Sequence, residues 1–420
     1  MKADRLFSIS LSRRCMLLCF AAWLSLPLIA DDKDAKQTGA KQALDSCHVY
    51  RVRSLPGSHL FGSEFIVAIG TDPDPAARTS NIVWALTADV SNRVPVHDRA
   101  MYISRSADNG ESWTPVARID STYFDAKIGE GLRNGLGVSP GGAEFVITTQ
   151  RGAFQIIPQS GQDDALINSI RGPRVPHPRT RLYLPKKEND PIRAGVVRIF
   201  PDGKHMIVGY GSYDLNPQIF IYRRDESGSW VEEKRLLHLP TKMDILSLQF
   251  ADFQSPTPES VYVGTGDQAY HVRLQTMKWI RVAGVGDDSA IHSISTVGGP
   301  HFAACWGVYN PLSAEFVKRV TAARFLLHRF SDEVGPNIRA YGIEVDPLRP
   351  EREIVTAITG AYLSSDSGQT WKRINDLPDG EFRTAHFNPD GTAIISGVGG
   401  TFLANPFSNA CSPHLTTRGN

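Results

Sequence analysis

Two copies of one short pattern limit what this chain can become. Gly360 to Trp371, GAYLSSDSGQTW, follows the apolar run Ile354, Val355, Thr356, Ala357, Ile358 and places Ser364, Asp366, Gly368, Thr370 and Trp371 as S-x-D-x-G-x-T-W. Far upstream, RSADNGESW repeats it as Ser106, Asp108, Gly110, Ser112 and Trp113, with Ser in place of Thr. Each copy reads as a tight β-hairpin in which a polar Asp/Gly turn reverses an apolar strand. The aspartate accepts hydrogen bonds from the turn's own N–H groups, and glycine takes positive φ at little cost. The indole then buries a large ring beside the returning strand. These residues therefore read as structural.

Between and around the copies, short β-rich runs recur. They are Ile66–Gly70, Val146–Thr149, Ile207–Gly211, Val261–Gly264, Phe302–Cys305, Val355–Gly360 and Ile394–Gly397, at a mean spacing of about 55 residues, close to what a four-stranded propeller blade consumes. Several follow the same punctuation: Ser139-Pro140-Gly141-Gly142, Phe200-Pro201-Asp202-Gly203-Lys204 and Asn388-Pro389-Asp390-Gly391. Proline pre-sets one turn residue and glycine supplies the next, so each marks a reversal from a first strand to a second. The segments before them, Gly135–Val138, Gly195–Ile199 and Thr384–Phe387, fit innermost strands.

No long helical period survives the frequent Pro and Gly, and the expected fold is all-β: a β-propeller of seven four-stranded blades, six being the alternative. The interval Asp72 to Asp98 is read as a loop insertion or hidden strands. CHVYRVRSL, Cys47 to Leu55, alternates as an added strand would, and pairing it with Thr401 to Ala404 would close the ring and remove two sheet edges.

The S-x-D-x-G-x-[T/S]-W pattern resembles the Asp-box, or BNR repeat, of sialidase-like β-propellers. The resemblance implies that the boxes lie on hairpins away from the ligand face, so it speaks to fold rather than chemistry. IEVDPLRPEREIVTAITGAYLSSDSGQTWKRINDLP resembles the repeats of non-sialidase members, such as photosystem assembly factors and the sortilin ectodomain, more than those of the enzymes.

Residues 1–30 read as a signal peptide: Lys2, Arg5, Arg13 and Arg14 precede an apolar stretch from Cys15 to Ile29, and Ala30 supplies a small residue for cleavage. Ser12-Arg13-Arg14-Cys15-Met16-Leu17 also resembles a twin-arginine signal, the other reading being a paired arginine in an ordinary one. Residues 31–45 are a polar leader, 46–406 the propeller and 407–420 a tail. The expected location is secreted or periplasmic, with no membrane span in the mature chain and a monomeric state.

With 45 Lys plus Arg against 44 Asp plus Glu the chain is near neutral, which gives no electrostatic reason to expect a nucleic-acid partner. In an oxidising compartment a Cys47–Cys411 disulfide would join the ends that a ring brings together, worth ~3 to 5 kcal/mol in the chain-entropy model. Cys305 reads as a buried thiol.

The resemblance to sialidases implies an arginine trio for a carboxylate, a Tyr nucleophile with a Glu, and an Asp acid/base. Arg51, in YRVRSLP, is the nearest counterpart of the first arginine, although the proline that should follow the R-I/V pair directly is missing. Asp98, in VHDR, falls where the acid/base aspartate would precede the first box, its structural alternative being an exposed Asp–Arg pair. Glu381, Tyr341 and Tyr362 offer no assignable Tyr/Glu pair.

RGPRVPHPRTRLYLPKK gathers Arg171, Arg174, His177, Arg179 and Arg181 into a candidate anion-binding loop, or a solvated proline-stiffened one. No metal-ligand spacing, nucleophile elbow or phosphate loop occurs, so no metal or cofactor is expected. The expected function is a non-catalytic binding or assembly scaffold for a carbohydrate or protein ligand at the central face. The alternative is a sialidase-like glycoside hydrolase acting on terminal sugars.

Overall fold

The structure is a computed structural model that describes residues 49–407 apart from 53–58, 61–62, 65, 75–76, 78–79, 89–94, 96, 125–134, 160–164, 173–193, 213–214, 237–238, 242, 253–254, 286–289, 305–306, 312–324, 329–338 and 398–399. Seven four-stranded antiparallel sheets account for nearly all its strands, with one further two-stranded ribbon, His59–Leu60 with Ser63–Glu64. We number the sheets as blades 1 to 7 by the chain order of their innermost strands. These are Ile66–Gly70, Leu136–Val138, Ala194–Ile199, Ile245–Phe250, Ile291–Ser295, Ala340–Val345 and Phe382–Phe387. Each innermost strand touches that of the next blade, and blade 7 returns to blade 1, so the ring is closed.

Closure follows the expected pairing. Val49–Arg51 is the outermost strand of blade 7 and pairs with Gly400–Ala404 as Val49↔Ala404, Tyr50↔Leu403 and Arg51↔Phe402. The Val52 amide extends the ladder, donating to the Thr401 carbonyl at 2.9 Å. Cys47, Cys411 and Cys305 lie outside the described residues.

The three Pro/Gly reversals do join first strands to second ones, in blades 2, 3 and 7. Ile66–Gly70 is a correction to the repeat read from sequence. It is the innermost strand of blade 1, whereas the other six runs are second strands, and the second strand of blade 1 is Val83–Ala88. Every residue of Val83–Ala88 is buried, so it lacks the alternation that marks a half-buried strand. This displacement by one strand explains the long gap after the first run.

Both Asp/Gly hairpins join a third strand to a fourth, in blades 1 and 6. Ser106 Oγ donates to Asp108 Oδ1 at 2.7 Å and accepts the Gly110 amide at 2.8 Å. The Ser112 amide and hydroxyl donate to the two Asp108 oxygens at 2.9 and 2.5 Å, and Trp113 Nε1 donates to the Gly110 carbonyl at 3.0 Å. Ser364, Asp366, Gly368, Thr370 and Trp371 repeat every one of these bonds. Gly110 and Gly368 have φ of 91° and 76°. Burial alone would raise both aspartates. The hydrogen bonds from Ser112 and Ser106, or Thr370 and Ser364, outweigh it and hold each carboxyl below its ordinary range.

Each indole buries toward the preceding blade. Trp113 packs with Val83 of blade 1 and with Ile394 and Leu403 of blade 7; Trp371 packs with Tyr362 of blade 6 and Ala303 of blade 5. A third hairpin of this kind escaped the pattern. In blade 3 the sequence runs Asp225-Glu226-Ser227-Gly228-Ser229-Trp230, with the glycine one place late. Asp225 Oδ1 still accepts the Ser227 and Ser229 amides, each at 2.9 Å. Trp230 Nε1, however, donates to Glu144 Oε1 of blade 2 at 2.9 Å.

Candidate functional site at the mouth of the channel

In an antiparallel four-stranded blade, the turn from third to fourth strand and the turn from first to second share one end. The Asp/Gly hairpins therefore mark one face of the ring. Every innermost strand begins on the other face, which we call the mouth.

A local irregularity recurs there. In six blades the pairing of first and second strands slips at the same place, leaving one extra residue: Val67, Gly195, Leu246, His292, Tyr341 and Arg383. Such β-bulges bend the strand and re-aim the extra side chain. The apolar and small members fall on blades 1, 3 and 4. The bulge residues of blades 5, 6 and 7 are a histidine, a tyrosine and an arginine.

These three meet. The Arg383 guanidinium lies 4.6 Å from the Tyr341 ring centroid, and His292 meets the same ring edge-on at 5.5 Å and 61°. Glu381, two residues ahead of Arg383, forms an ion pair with its Nη2. The two side chains are only 16% and 13% exposed, so this pair is largely removed from water and neither charge can lose its partner cheaply. A guanidinium stacked on a ring and held by a carboxylate is a rigid, planar contact surface rather than an acid/base pair.

A second polar layer lies further along the same strands. Arg198, Gln249, Glu344 and His386 each stand next to last in an innermost strand, those of blades 3, 4, 6 and 7. Arg198 Nε donates to Gln249 Oε1 at 3.0 Å, and His386 Nδ1 lies 3.5 Å from Glu344 Oε1. Desolvation lowers the proton affinity of Arg198, and the Glu344 carboxylate works against that effect.

The residues singled out from sequence fall in several places. Asp98 sits in the turn between the second and third strands of blade 1, an end shared with the mouth, where it is 58% exposed and faces His97 Nε2 at 3.4 Å. Arg51 is on the outermost strand of blade 7, exposed, while Arg383 holds the channel position in that blade. Arg171 is described, its carbonyl accepting a hydrogen bond from the Tyr222 hydroxyl at 3.1 Å. Arg174, His177, Arg179 and Arg181 lie outside the described residues, though the strands on either side, Ala165–Ile170 and Ala194–Ile199, end and begin at the mouth. Tyr362 is core, in the cluster around Trp371.

Sequence reading noticed Tyr341 and Glu381 without joining them and missed His292 and Arg383. The signal was present as a repeated triplet in which an apolar residue, a variable one and a small or β-branched one open the strand: Ile291-His292-Ser293, Ala340-Tyr341-Gly342 and Phe382-Arg383-Thr384.

The closed ring of four-stranded sheets defines the protein as a β-propeller. Among solved structures it is similar to YCF48 bound to a D1 peptide, with a TM-score of 0.51 and 15% identity over 86% of this chain and 97% of that one. It is also similar to the WD40 β-propeller domain of Doa1 (TM-score 0.51, 11% identity, 85% and 96% covered). A chain of the mitotic checkpoint complex matches with a TM-score of 0.50 and 10% identity, covering 90% and 98%. At these identities the likeness is one of fold. No known family pattern and no curated protein sequence matches the chain.

Proposed function

We propose that this chain is an exported Asp-box propeller of the BNR type that serves as a non-catalytic binding or assembly scaffold, gripping a protein or glycan ligand at the mouth. The carrying observation is the bulge cluster, in which Arg383 is stacked on Tyr341 and committed to Glu381. A tyrosine nucleophile needs a base within hydrogen-bond reach. Here the carboxylate at hand is engaged by a guanidinium. The hydrogen-bond pattern repeated around Asp108 and Asp366 supports the Asp-box assignment. The peptide held by the similar YCF48 favours protein over sugar as ligand.

The same reading takes residues 1–30 as a cleaved export signal, joins Cys47 to Cys411, and uses the arginines of 171–187 as further ligand contacts. One observation favours the glycosidase alternative: Tyr341, Glu381 and Arg383, residue types that a sialidase uses, do converge. The test is therefore twofold. A panel of fluorogenic glycosides is offered to the mature protein and its Tyr341→Phe and Asp98→Ala variants. A photoreactive residue at position 292 is used to trap partners in the native host. The scaffold reading expects no turnover and one discrete adduct that Arg383→Ala abolishes; turnover lost in Tyr341→Phe would replace it with the enzyme.

A further inference from the structure

The face opposite the mouth carries a cleft of about 290 Å³ between blades 3 and 4. Its floor is apolar: Phe200, Ile221 and Leu274 line it, each under 10% exposed. Its rim is acidic, with Asp202 and Glu233 on blade 3 and Glu259 across from them on blade 4. Asp202 and Glu233 hold His205 between them, at 2.5 Å from Nδ1 and 3.5 Å from Nε2, which fixes the geometry of that wall. Lys234, whose ammonium lies 3.9 Å from Glu233, and His205 are the basic residues of the lining, set against three carboxylates.

We infer that this cleft is a second binding site, separate from the mouth, which takes an arginine or lysine side chain from an extended segment of a protein partner. Basic side chains bury their methylene stems on apolar surface while the charged head stays at a polar rim, and this cleft offers that pairing of surfaces at short range. Carboxylates from two blades favour the forked guanidinium, which can engage two of them together. The volume lies at the lower bound of ligand pockets, the size for one side chain rather than a whole small molecule. An acidic segment would meet the rim charges unfavourably.

The test uses the mature protein and two fluorescein-labelled peptides, acetylated and amidated repeats of Gly-Arg and of Gly-Glu, followed by fluorescence anisotropy at low and high salt. The arginine peptide is expected to bind, more weakly as salt rises, and the glutamate peptide not to. Glu233→Gln with Glu259→Gln, both on the solvent-exposed rim, should weaken binding about tenfold or more without moving the thermal midpoint. Arg383→Ala, once its thermal midpoint shows that the ring is still folded, should leave binding unchanged, so this result does not depend on the reading of the mouth. The inference is overturned if the arginine peptide fails to bind at millimolar concentration, if the double variant binds it as tightly as the parent, or if a folded Arg383→Ala protein no longer binds it.

Discussion

Glu353 opens the second strand of blade 6 with its side chain fully buried, and among the described residues neither carboxylate oxygen has a hydrogen-bond partner. His301 of blade 5 approaches to 3.6 Å, outside hydrogen-bond range. Burial first, and then repulsion from Asp366 in the adjacent hairpin, push the Glu353 carboxyl from 4.5 up to about 8. The native protein therefore keeps a proton that the unfolded chain releases above its lower value. Stability from this group is complete below pH 4.5 and drains away as pH climbs toward 8. At about 1.4 kcal/mol for each tenfold change in proton affinity, the ceiling is roughly 5 kcal/mol.

Glu353→Gln keeps the shape and removes the titration. Urea unfolding followed by tryptophan fluorescence, at about pH 5 and about pH 9, should show the variant gaining roughly 2 to 5 kcal/mol on the parent at the higher pH, with the two nearly equal at the lower. Taking the difference between the proteins cancels groups that titrate alike in both. Parallel profiles, or a parent that gains on the variant as pH rises, would mean that Glu353 is ionised in the native ring and paired with His301, and the argument from burial would fall.

Trp371→Ala empties a buried site between blades 5 and 6 and should cost about 3 to 5 kcal/mol in chemical denaturation. Trp279→Ala, at a 36% exposed position on the outer strand of blade 4, should change stability far less. Asp108→Ala leaves the turn donors around it unpaired and should cost about 1 to 3 kcal/mol while leaving ligand capture at the mouth intact, which a thermal shift and a binding assay together would check. Gly110→Ala combines a φ of 91° with a Cβ that would fall 2.7 Å from Ile394 Cδ1, so its loss of thermal stability should exceed that of Gly141→Ala, where φ is 73° and no atom lies within 4 Å.

What could be read from the sequence was what is encoded locally. The Asp108 and Asp366 hairpins, the Pro/Gly reversals and the alternation of Val49–Val52 each depend on residues a few places apart. Val83–Ala88 stayed an unassigned alternative within Asp72 to Asp98 because burial on both faces erases alternation, and Asp225 escaped because Gly228 stands three places after it instead of two, with Trp230 still five places on. In the sequence the mouth shows only as the repeated triplets that carry His292, Tyr341 and Arg383, with nothing to join them. His292, Tyr341 and Arg383 stand about 45 residues apart in the chain, and the side-by-side packing of consecutive blades and a bulge in each of these three bring them to one place. A one-residue slip in strand pairing is a property of the ladder rather than of any one side chain.

The strand Val49–Arg51 is among the first parts of the domain to leave the ribosome, yet its partner, Gly400–Ala404, is among the last. Blade 7 must wait through the synthesis of six others before its fourth seat is filled. Until then two open edges persist, one at each terminus of the growing arc, and contacts of such long sequence separation form slowly. Shielding during biogenesis is the corollary, and in the latched ring the earliest and latest strands hold one another in place.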